Sequence, residues 1–229
     1  MHIDLNSDLG EGCAHDAELL SLITSANVAC GWHAGDAGTA MTTLATAVRQ
    51  GVVVGAHPSF PDREHFGRRE LARTPSEIYQ DCVYQIGALI ALARAAGTEV
   101  RYIKPHGALY NMACRDETYG RAVLEVAQFF ALPLVGLPGS RLEVLSRKRL
   151  ITEGFADRRY RPDGSLVPRD QPDAFVHDPT QAVRQALDLI HQRGIQTLCV
   201  HGDNPQALEF VRALREGLTK AGFELRAFA

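Results

Sequence analysis

The sequence predicts an α/β fold whose parallel sheet closes, or nearly closes, into an irregular barrel. Strand-like apolar runs alternate with helical patterns about seven times along the 229 residues, which favours parallel strands joined by right-handed crossovers. Reactive side chains follow at least six of these runs, whereas a doubly wound sheet would gather its ligands from two or three loops at a switch point. Irregular loops at 57–74 and 156–178 indicate a distorted barrel. The length fits one barrel domain spanning 1–229.

Composition excludes several classes of function. The net charge is -3 and no basic stripe is present, so nucleic acid is not an expected partner. No apolar run approaches the roughly 20 residues that a bilayer span needs, and the N-terminus lacks the pattern of a signal peptide. The five cysteines are odd in number and have no CxxC spacing, which is typical of reduced thiols. We therefore expect a cytoplasmic protein without a membrane partner.

The first half of the chain supplies three strand-like runs, at 3–6, 27–30 and 52–56. The helix after the second run has an apolar stripe with the helical period of about 3.6 residues, formed by Met41, Leu44, Ala45 and Val48. The helix after the third run begins with a capping box, in which Thr74 precedes Pro75 and Glu77.

The second half continues the alternation. Strand-like runs are predicted at 100–104, 132–137, 150–156, 197–200 and 223–228. Helices are predicted near 117–130 and 140–149, from Asp178-Pro179 onward, and over a final segment whose apolar face is Leu208, Val211, Leu214 and Leu218.

Four histidines follow strand-like runs in motifs of similar layout. The motifs are ACGWHAGD at 29–36, GAHPSFPD at 55–62, IKPHGALYN at 103–111 and CVHGDNP at 199–205, and DLNSDLGEG at 4–12 supplies carboxylates at the first strand. Because the carboxyl ends of parallel strands in a barrel share one face, we expect these side chains to meet there. The arrangement indicates an enzyme.

Two of these motifs have both a structural and a functional interpretation. Asp36 stands where a helix N-cap belongs, so capping of the helix is as good an interpretation of this residue as a functional role. His33 lies among small residues that let a ligand approach the backbone, which favours a functional role. Lys104 and His106 are two apart, so on extended chain they share a face and together suit an anionic or developing-oxyanion substrate. A solvated lysine is the alternative.

The remaining candidates are acids, bases and arginines. His201 and Asp203 are suited to proton transfer. Asp8 and Glu11 form a carboxylate pair that could act as acid and base, bind metal or form a solvated turn. The arginine-rich runs 67–70 and 155–169 are mostly expected to be solvated, but one or two guanidinium groups could bind a carboxylate or phosphate.

Spacing alone does not decide whether a metal site is present, and it does not support a nucleotide site of either familiar type. Divalent zinc, manganese or iron could bind histidine and aspartate at strand ends, and His33, His57 and Asp36 are the candidates. No HExxH or HxH is present, and there is neither a Walker A loop nor a GxGxxG.

The ordered motifs DLNSDLGEG, SANVACGWHAGD, GAHPSFPD, FGRRE, KPHGALYN, EGFADRRY, LVPR and CVHGD closely resemble the LamB/YcsF family, from residue 4 to about 205. The resemblance implies a seven-stranded β/α barrel of the glycoside hydrolase/deacetylase type. It further implies that the chain is the A subunit of an ATP-dependent 5-oxoprolinase, which opens 5-oxo-L-proline to L-glutamate together with subunits B and C. ATP would be a co-substrate, accompanied by Mg²⁺.

Under this resemblance Lys104 would steady the lactam oxygen or its phosphate, and Arg68 or Arg69 would pair with the substrate carboxylate. The expected catalytic residues are Asp8, Glu11, Lys104, His106, His201 and Asp203. The expected substrate-binding residues are His33, Asp36, His57, Arg68, Arg69, Asn111, Arg158 and Arg169. Two alternatives stay open: a metal-dependent deacetylase or carbohydrate hydrolase that acts alone, and a non-catalytic substrate-binding subunit.

Overall fold

A computed structural model describes residues 1–201 and 206–229. Its strands are β1 (His2–Leu9), β2 (Ser25–Ala29), β3 (Val53–His57), β4 (Val100–Ile103), β5 (Val135–Gly136), β6 (Ile151–Phe155), β7 (Thr197–Cys199) and β8 (Glu224–Leu225). Its helices are α1 (Asp16–Leu20), α2 (Ala37–Gln50), α3 (Pro75–Ala95), α4 (Gly107–Arg115), α5 (Glu117–Phe130), α6 (Arg141–Leu145), α7 (Pro179–Arg193) and α8 (Ala207–Lys220), with a short 3-10 turn at Arg63–His65.

Seven parallel strands form a nearly closed barrel in the order β4-β3-β2-β1-β7-β6-β5. The two ends of the sheet meet where Ile103 forms a bridge with Leu134 and its N–H donates to the carbonyl of Pro133 at 2.9 Å. The eighth strand, β8, pairs with the start of β1. The predicted irregular seven-stranded β/α barrel is therefore confirmed.

Strand β1 shows how the barrel separates polar from apolar side chains. Side chains alternate between the two faces of a strand, and Ile3, Leu5 and Leu9 pack in the hydrophobic layer between sheet and helices. The intervening Asp4 and Asn6 are buried and hydrogen-bond to side chains of neighbouring strands inside the barrel. The barrel interior thus holds a column of polar groups, and the apolar core surrounds it.

Helix caps agree with the sequence signals. Thr74 accepts from the backbone N–H of Glu77, whose side chain returns the bond to complete the capping box. Asp178 caps α7 by accepting from the N–H of Thr180 at 2.7 Å. These caps satisfy N–H groups that the first helical turn leaves unpaired.

Three elements differ from the expectation. Helix α4 is not predicted by the sequence pattern, which marks its segment only as the motif after β4. The last strand is only two residues long, since Phe228 leaves the sheet and packs its ring 4.9 Å from that of Tyr102. Helix α6 ends at Leu145 rather than near 149, and Arg147 and Lys148 after it have positive φ. Within the described residues, no helix is long and apolar enough to cross a membrane.

Candidate active site

Lys104 lies at the centre of the polar column, directly after β4. Its Nζ is 2.8 Å from Asp8 Oδ1 and 3.0 Å from Glu153 Oε1, and it donates to Cys199 Sγ at 3.1 Å. Burial, the largest single influence, opposes the charged form of Lys104, but Asp8, Cys199 and Glu153 together outweigh it and raise the pKa of the lysine well above its ordinary value. Burial likewise opposes the charged form of Asp8, yet His57 and Lys104 hold the pKa of Asp8 well below its ordinary range. The ammonium and the Asp8 carboxylate are therefore both charged at neutral pH.

Amide side chains hold the Lys104–Asp8 pair in place through hydrogen bonds. Asn27 donates to Asp8 Oδ1 at 2.8 Å and to Asn6 Oδ1 at 2.7 Å, and its own oxygen accepts from the Tyr102 hydroxyl at 2.7 Å. Asn6 donates in turn to Glu153 at 3.1 Å. The network determines the orientation of both carboxylates that contact Lys104.

Three imidazoles form a second group beside Asp8. His57 Nε2 is 3.3 Å from Asp8 Oδ2 and 2.9 Å from His106 Nδ1. The His33 ring stacks on that of His106, with centroids 3.8 Å apart and 4° between the planes. Burial lowers the pKa of both His33 and His106 well below the ordinary value, so both rings are neutral at pH 7.

Glu11 completes this imidazole group. Its Oε1 is 3.0 Å from His33 Nε2 and 3.7 Å from His106 Nδ1, and only 3% of its side chain is exposed. One ligand atom from each of Glu11, His33, His57 and His106 lies within 4.8 Å of the others. Nitrogen and carboxylate donors this close together could hold a metal ion.

His201 and Asp157 form a hydrogen-bonded dyad close to Asp8, since ligand atoms of Asp8 and His201 lie within 4.8 Å of each other. Nδ1 of His201 is 2.9 Å from Asp157 Oδ2, and the imidazole stacks on Phe155 with centroids 5.3 Å apart. Burial opposes the charged form of Asp157, but His201 and the charge of Arg169 together outweigh it, so the pKa of Asp157 is lowered. A carboxylate that orients a histidine in this way fixes its tautomer and stabilises its protonated form. With 11% exposure, the His201 side chain is the part of the site that solvent reaches most easily.

Two glycines permit the close approach of the loops that carry His33 and His106. A Cβ on Gly67, whose φ is +64°, would lie 2.9 Å from His33 Cβ and 3.0 Å from His106 Cδ2. A Cβ on Gly107 would lie 2.5 Å from the carbonyl oxygen of Gly67. Any side chain at these positions would push the histidine loops apart.

The structure brings seven of the predicted residues into this one network: Asp8, Glu11, His33, His57, Lys104, His106 and His201. The other catalytic candidate, Asp203, lies outside the described residues.

Several predicted residues lie elsewhere or have structural partners. Asp36 is exposed and caps α2 by accepting from the N–H of Thr39 at 2.8 Å, so Glu11 and His106 take its place beside His33 and His57. Arg69 pairs with Asp62 at 3.2 Å, and Asn111 is exposed on α4. Capping, the alternative weighed for Asp36, is therefore the role that its contacts support.

The three other arginines lie close enough to affect one another. Arg158 donates to the carbonyls of Val167 and Ala174, and burial, followed by the charge of Arg169, lowers its pKa to about 10. Arg169 and Arg158 both lie over the ring of Phe175, and Arg68 lies over Phe66 with its Cζ 4.7 Å from the ring centre.

Sequence reasoning misses the carboxylates on and after β6. Asp157 lies two residues after this strand, at the same end of the barrel as His57 and Lys104, but the arginines around it indicate a solvated loop. Glu153 lies within the strand, where an isolated acid in an apolar run gives little indication of its buried partner. Asn6, Asn27 and Cys199 are missed for the same reason. A polar residue of a strand that is buried on both faces is the signal that could find them.

The chemistry that these groups support is acid–base and electrostatic. A buried ammonium beside an imidazole can stabilise negative charge that develops on a carbonyl oxygen. A histidine held by a carboxylate can transfer a proton. Lys104 and His201 both lie close to Asp8, so a small substrate could contact both.

Several solved structures are similar to this chain. The chain is 43% identical to the lactam utilization protein from Thermus thermophilus, with a TM-score of 0.91 and 100% of both chains covered. A T48 deacetylase bound to its substrate matches with a TM-score of 0.55 at 20% identity, over 98% of this chain and 86% of that one. A family 4 carbohydrate esterase from Streptomyces lividans, in complex with acetate, matches with a TM-score of 0.57 at 13% identity, over 100% and 93%. The two esterase and deacetylase similarities are similarities of fold.

Sequence comparison covers almost the whole chain, since residues 3–229 match the LamB/YcsF family. The matched range includes every residue of the ammonium, imidazole and His201–Asp157 groups. The chain therefore belongs to the LamB/YcsF family.

Proposed function

We propose that this protein is the A subunit of an ATP-dependent 5-oxoprolinase, which opens the lactam of 5-oxo-L-proline to L-glutamate. The observation that carries the proposal is the position of Lys104, a buried ammonium beside carboxylates and imidazoles, in a chain 43% identical over its full length to a lactam utilization protein. A lactam hydrolase needs a positive group for the lactam oxygen and a proton donor for the ring nitrogen.

The reaction explains the use of ATP. A five-membered lactam is a stable amide, and phosphorylation of its oxygen makes the ring carbon electrophilic. Water then adds to this carbon, the C–N bond breaks, and the ring nitrogen takes up a proton. A second water hydrolyses the acyl phosphate that ring opening leaves, which releases phosphate. In balance, 5-oxoproline, ATP and two waters give glutamate, ADP, phosphate and a proton. ATP would bind with Mg²⁺ as a co-substrate, and subunits B and C would complete the assembly.

Each group then has a role. Lys104 stabilises the lactam oxygen or its phosphate, His201 donates the proton to the departing nitrogen, and Asp157 positions His201. Among the arginines, Arg68 is the better candidate for the substrate carboxylate, because Arg69 is already paired with Asp62.

The test is formation of glutamate from 5-oxoproline and ATP, measured for the purified chain alone and with the two partner subunits. We expect little or no product from the chain alone and restored turnover in the assembly. Robust ATP-driven turnover by the chain alone would refute the need for partners, and no turnover in the complete assembly would refute the reaction.

A metal-dependent deacetylase that acts alone is the second candidate, favoured by the four potential ligands Glu11, His33, His57 and His106 and by the fold that the chain shares with deacetylases. Release of acetate from acetylated sugars by the chain alone, lost on treatment with a chelator, would support it. A non-catalytic subunit would instead bind 5-oxoproline with unchanged turnover when Lys104 or His201 is replaced.

A further inference from the structure

The hydrogen bonds of His57 and His106 determine where both rings carry their protons. His57 Nδ1 is 2.7 Å from the carbonyl oxygen of Lys104, and His106 Nε2 is 2.8 Å from the carbonyl oxygen of Phe66. A carbonyl oxygen only accepts hydrogen bonds, so each of these nitrogens must carry a hydrogen. In a neutral imidazole the other nitrogen then has a bare lone pair.

These two bare nitrogens face each other. His57 Nε2 and His106 Nδ1 are 2.9 Å apart, and their ring planes are nearly perpendicular, at 87°. Two lone pairs at hydrogen-bond distance repel each other unless a cation, either a proton on His57 or a metal ion, lies beside both. Asp8 Oδ2, 3.3 Å from His57 Nε2, also favours a cation at this point. Glu11 Oε1, 3.7 Å from His106 Nδ1, adds a negative group to the same point.

We propose that His57 Nε2, His106 Nδ1 and Glu11 Oε1 together bind one divalent transition-metal ion, of the zinc type. Ligand atoms about 2.1 Å from a metal lie about 3.0–3.4 Å from one another at octahedral or tetrahedral angles, close to the observed separations of 2.9 Å and 3.7 Å. Two histidines and one carboxylate are a set found in catalytic zinc sites, which leave a position for substrate. The backbone carbonyls that accept from the distal N–H groups orient the ligands, as is usual around metal-bound histidine.

His33 has a different role in this arrangement. Its ring is parallel to that of His106 and 3.8 Å away, so a metal in the plane of the His106 ring lies out of the plane of the His33 ring. His33 Nε2 is instead 3.0 Å from Glu11 Oε1, where its N–H can donate. His33 is therefore a positioning residue for Glu11 rather than a ligand.

The metal site does not depend on the proposed reaction, because it rests on the positions of the two imidazole rings and of Glu11 Oε1. It is distinct from Mg²⁺ that accompanies ATP, since imidazole nitrogens suit zinc, copper, nickel or iron rather than magnesium. A bound divalent ion would polarise a substrate carbonyl oxygen.

The test uses the full chain, freed of metal by a chelator and then titrated with Zn²⁺ or Co²⁺ alone. We expect one equivalent to bind, with Co²⁺ giving visible d–d absorption and no thiolate charge-transfer band, and the bound ion to raise the melting temperature. His106→Ala and Glu11→Gln should each weaken binding at least tenfold. His33→Gln, which keeps a donor for Glu11, should keep one equivalent, and His191→Gln on α7 is the matched control.

Melting curves of the metal-free variants show whether each remains folded. If His106→Ala does not fold, Glu11→Gln still tests the site, because it keeps the shape of the side chain. Less than a tenth of an equivalent bound by the metal-free wild type at tens of micromolar metal would overturn the site. Equal binding by wild type and Glu11→Gln would overturn it as well. Loss of binding in His33→Gln, with the fold intact, would overturn the assignment of His33.

Discussion

Lys104 Nζ and Glu153 Oε1 lie 3.0 Å apart inside the barrel, and neither side chain has more than 2% of its surface exposed. The ammonium also contacts Asp8, so one positive charge serves two buried carboxylates. A buried charge without a partner costs much more than a pair contributes. Removing the lysine and removing a carboxylate should therefore have different consequences.

Lys104→Met should lower both stability and turnover. It leaves Asp8 and Glu153 without their cation, which we expect to cost about 3–5 kcal/mol of the free energy of unfolding. Turnover of the assembled complex should fall by about 10²–10³-fold, as when one oxyanion-stabilising donor is lost. Urea denaturation and steady-state kinetics measure the two effects.

The matched control is Lys220→Met, which removes an exposed ion pair with Glu216 and should cost less than about 1 kcal/mol. The double variant Lys104→Met/Glu153→Gln should regain part of the lost stability and none of the lost turnover. Wild-type stability in Lys104→Met would show that the ion pairs do not stabilise the fold.

Asp157→Asn should lower turnover by about 10²–10⁴-fold with little change in the affinity for substrate. The amide keeps the shape of the side chain but favours the wrong tautomer of His201, as in other histidine–carboxylate dyads. The measurement is kcat and KM of the complex, with the exposed Asp170→Asn in the same loop as control. A drop in affinity with unchanged kcat would contradict a role in proton transfer.

Gly67→Ala should disturb the imidazole group selectively. A positive φ costs alanine about 1–2 kcal/mol, and the clash with His33 and His106 should add about 1–3 kcal/mol. Gly97→Ala is the matched control, because Gly97 also has a positive φ, +83°, but no atom within 4 Å of the added Cβ. Chemical denaturation should show a larger loss of stability in Gly67→Ala than in Gly97→Ala. Histidine ring resonances should shift only in Gly67→Ala. Equal losses of stability would show that the histidine loops yield without cost.

The stability of the Asp4→Asn variant, relative to that of the wild type, should increase progressively as pH rises from 4 to 7. Burial, which outweighs the hydroxyls of Thr197, Thr24 and Ser25, raises the pKa of Asp4 from 3.8 to about 6. Because the folded state holds this proton more tightly than the unfolded state, the associated stabilisation is lost as pH rises through about 6. The difference in unfolding free energy should change by up to about 3 kcal/mol, and Asp170→Asn is again the control. A difference that does not vary with pH would contradict the raised pKa.

The sequence is sufficient to predict the barrel and the side chains at strand ends, because both depend on local patterns. Periodicity locates the strands, and the shared face of parallel strands brings His33, His57, Lys104 and His201 together. What it cannot predict are relationships between distant residues. The pairing of Lys104 with Glu153 depends on the closure of the barrel, which no local pattern specifies.

The role of Asp36 depends on a similar contact between distant residues. A strand-end aspartate before a helix can cap that helix or enter the site, and only the direction of the chain after Gly35 decides between them. That direction depends on a close contact: a Cβ on Gly35 would lie 2.1 Å from the carbonyl oxygen of Gly10. The turn at Gly35 therefore fits only a residue without a side chain.

Strand β1 has a consequence for the order of events in folding. Its neighbours β2 and β7 come from opposite ends of the chain, and Asn6 donates to Thr197. During synthesis, both edges of β1 can therefore be paired only after residues 197–199 have been made. Contacts of such high sequence separation slow folding, and a nascent chain lacking β6 and β7 would leave the Lys104 ammonium without Glu153. Closure of the barrel around β1, and with it the pairing of Lys104 with Glu153, therefore depends on strands from the last third of the chain.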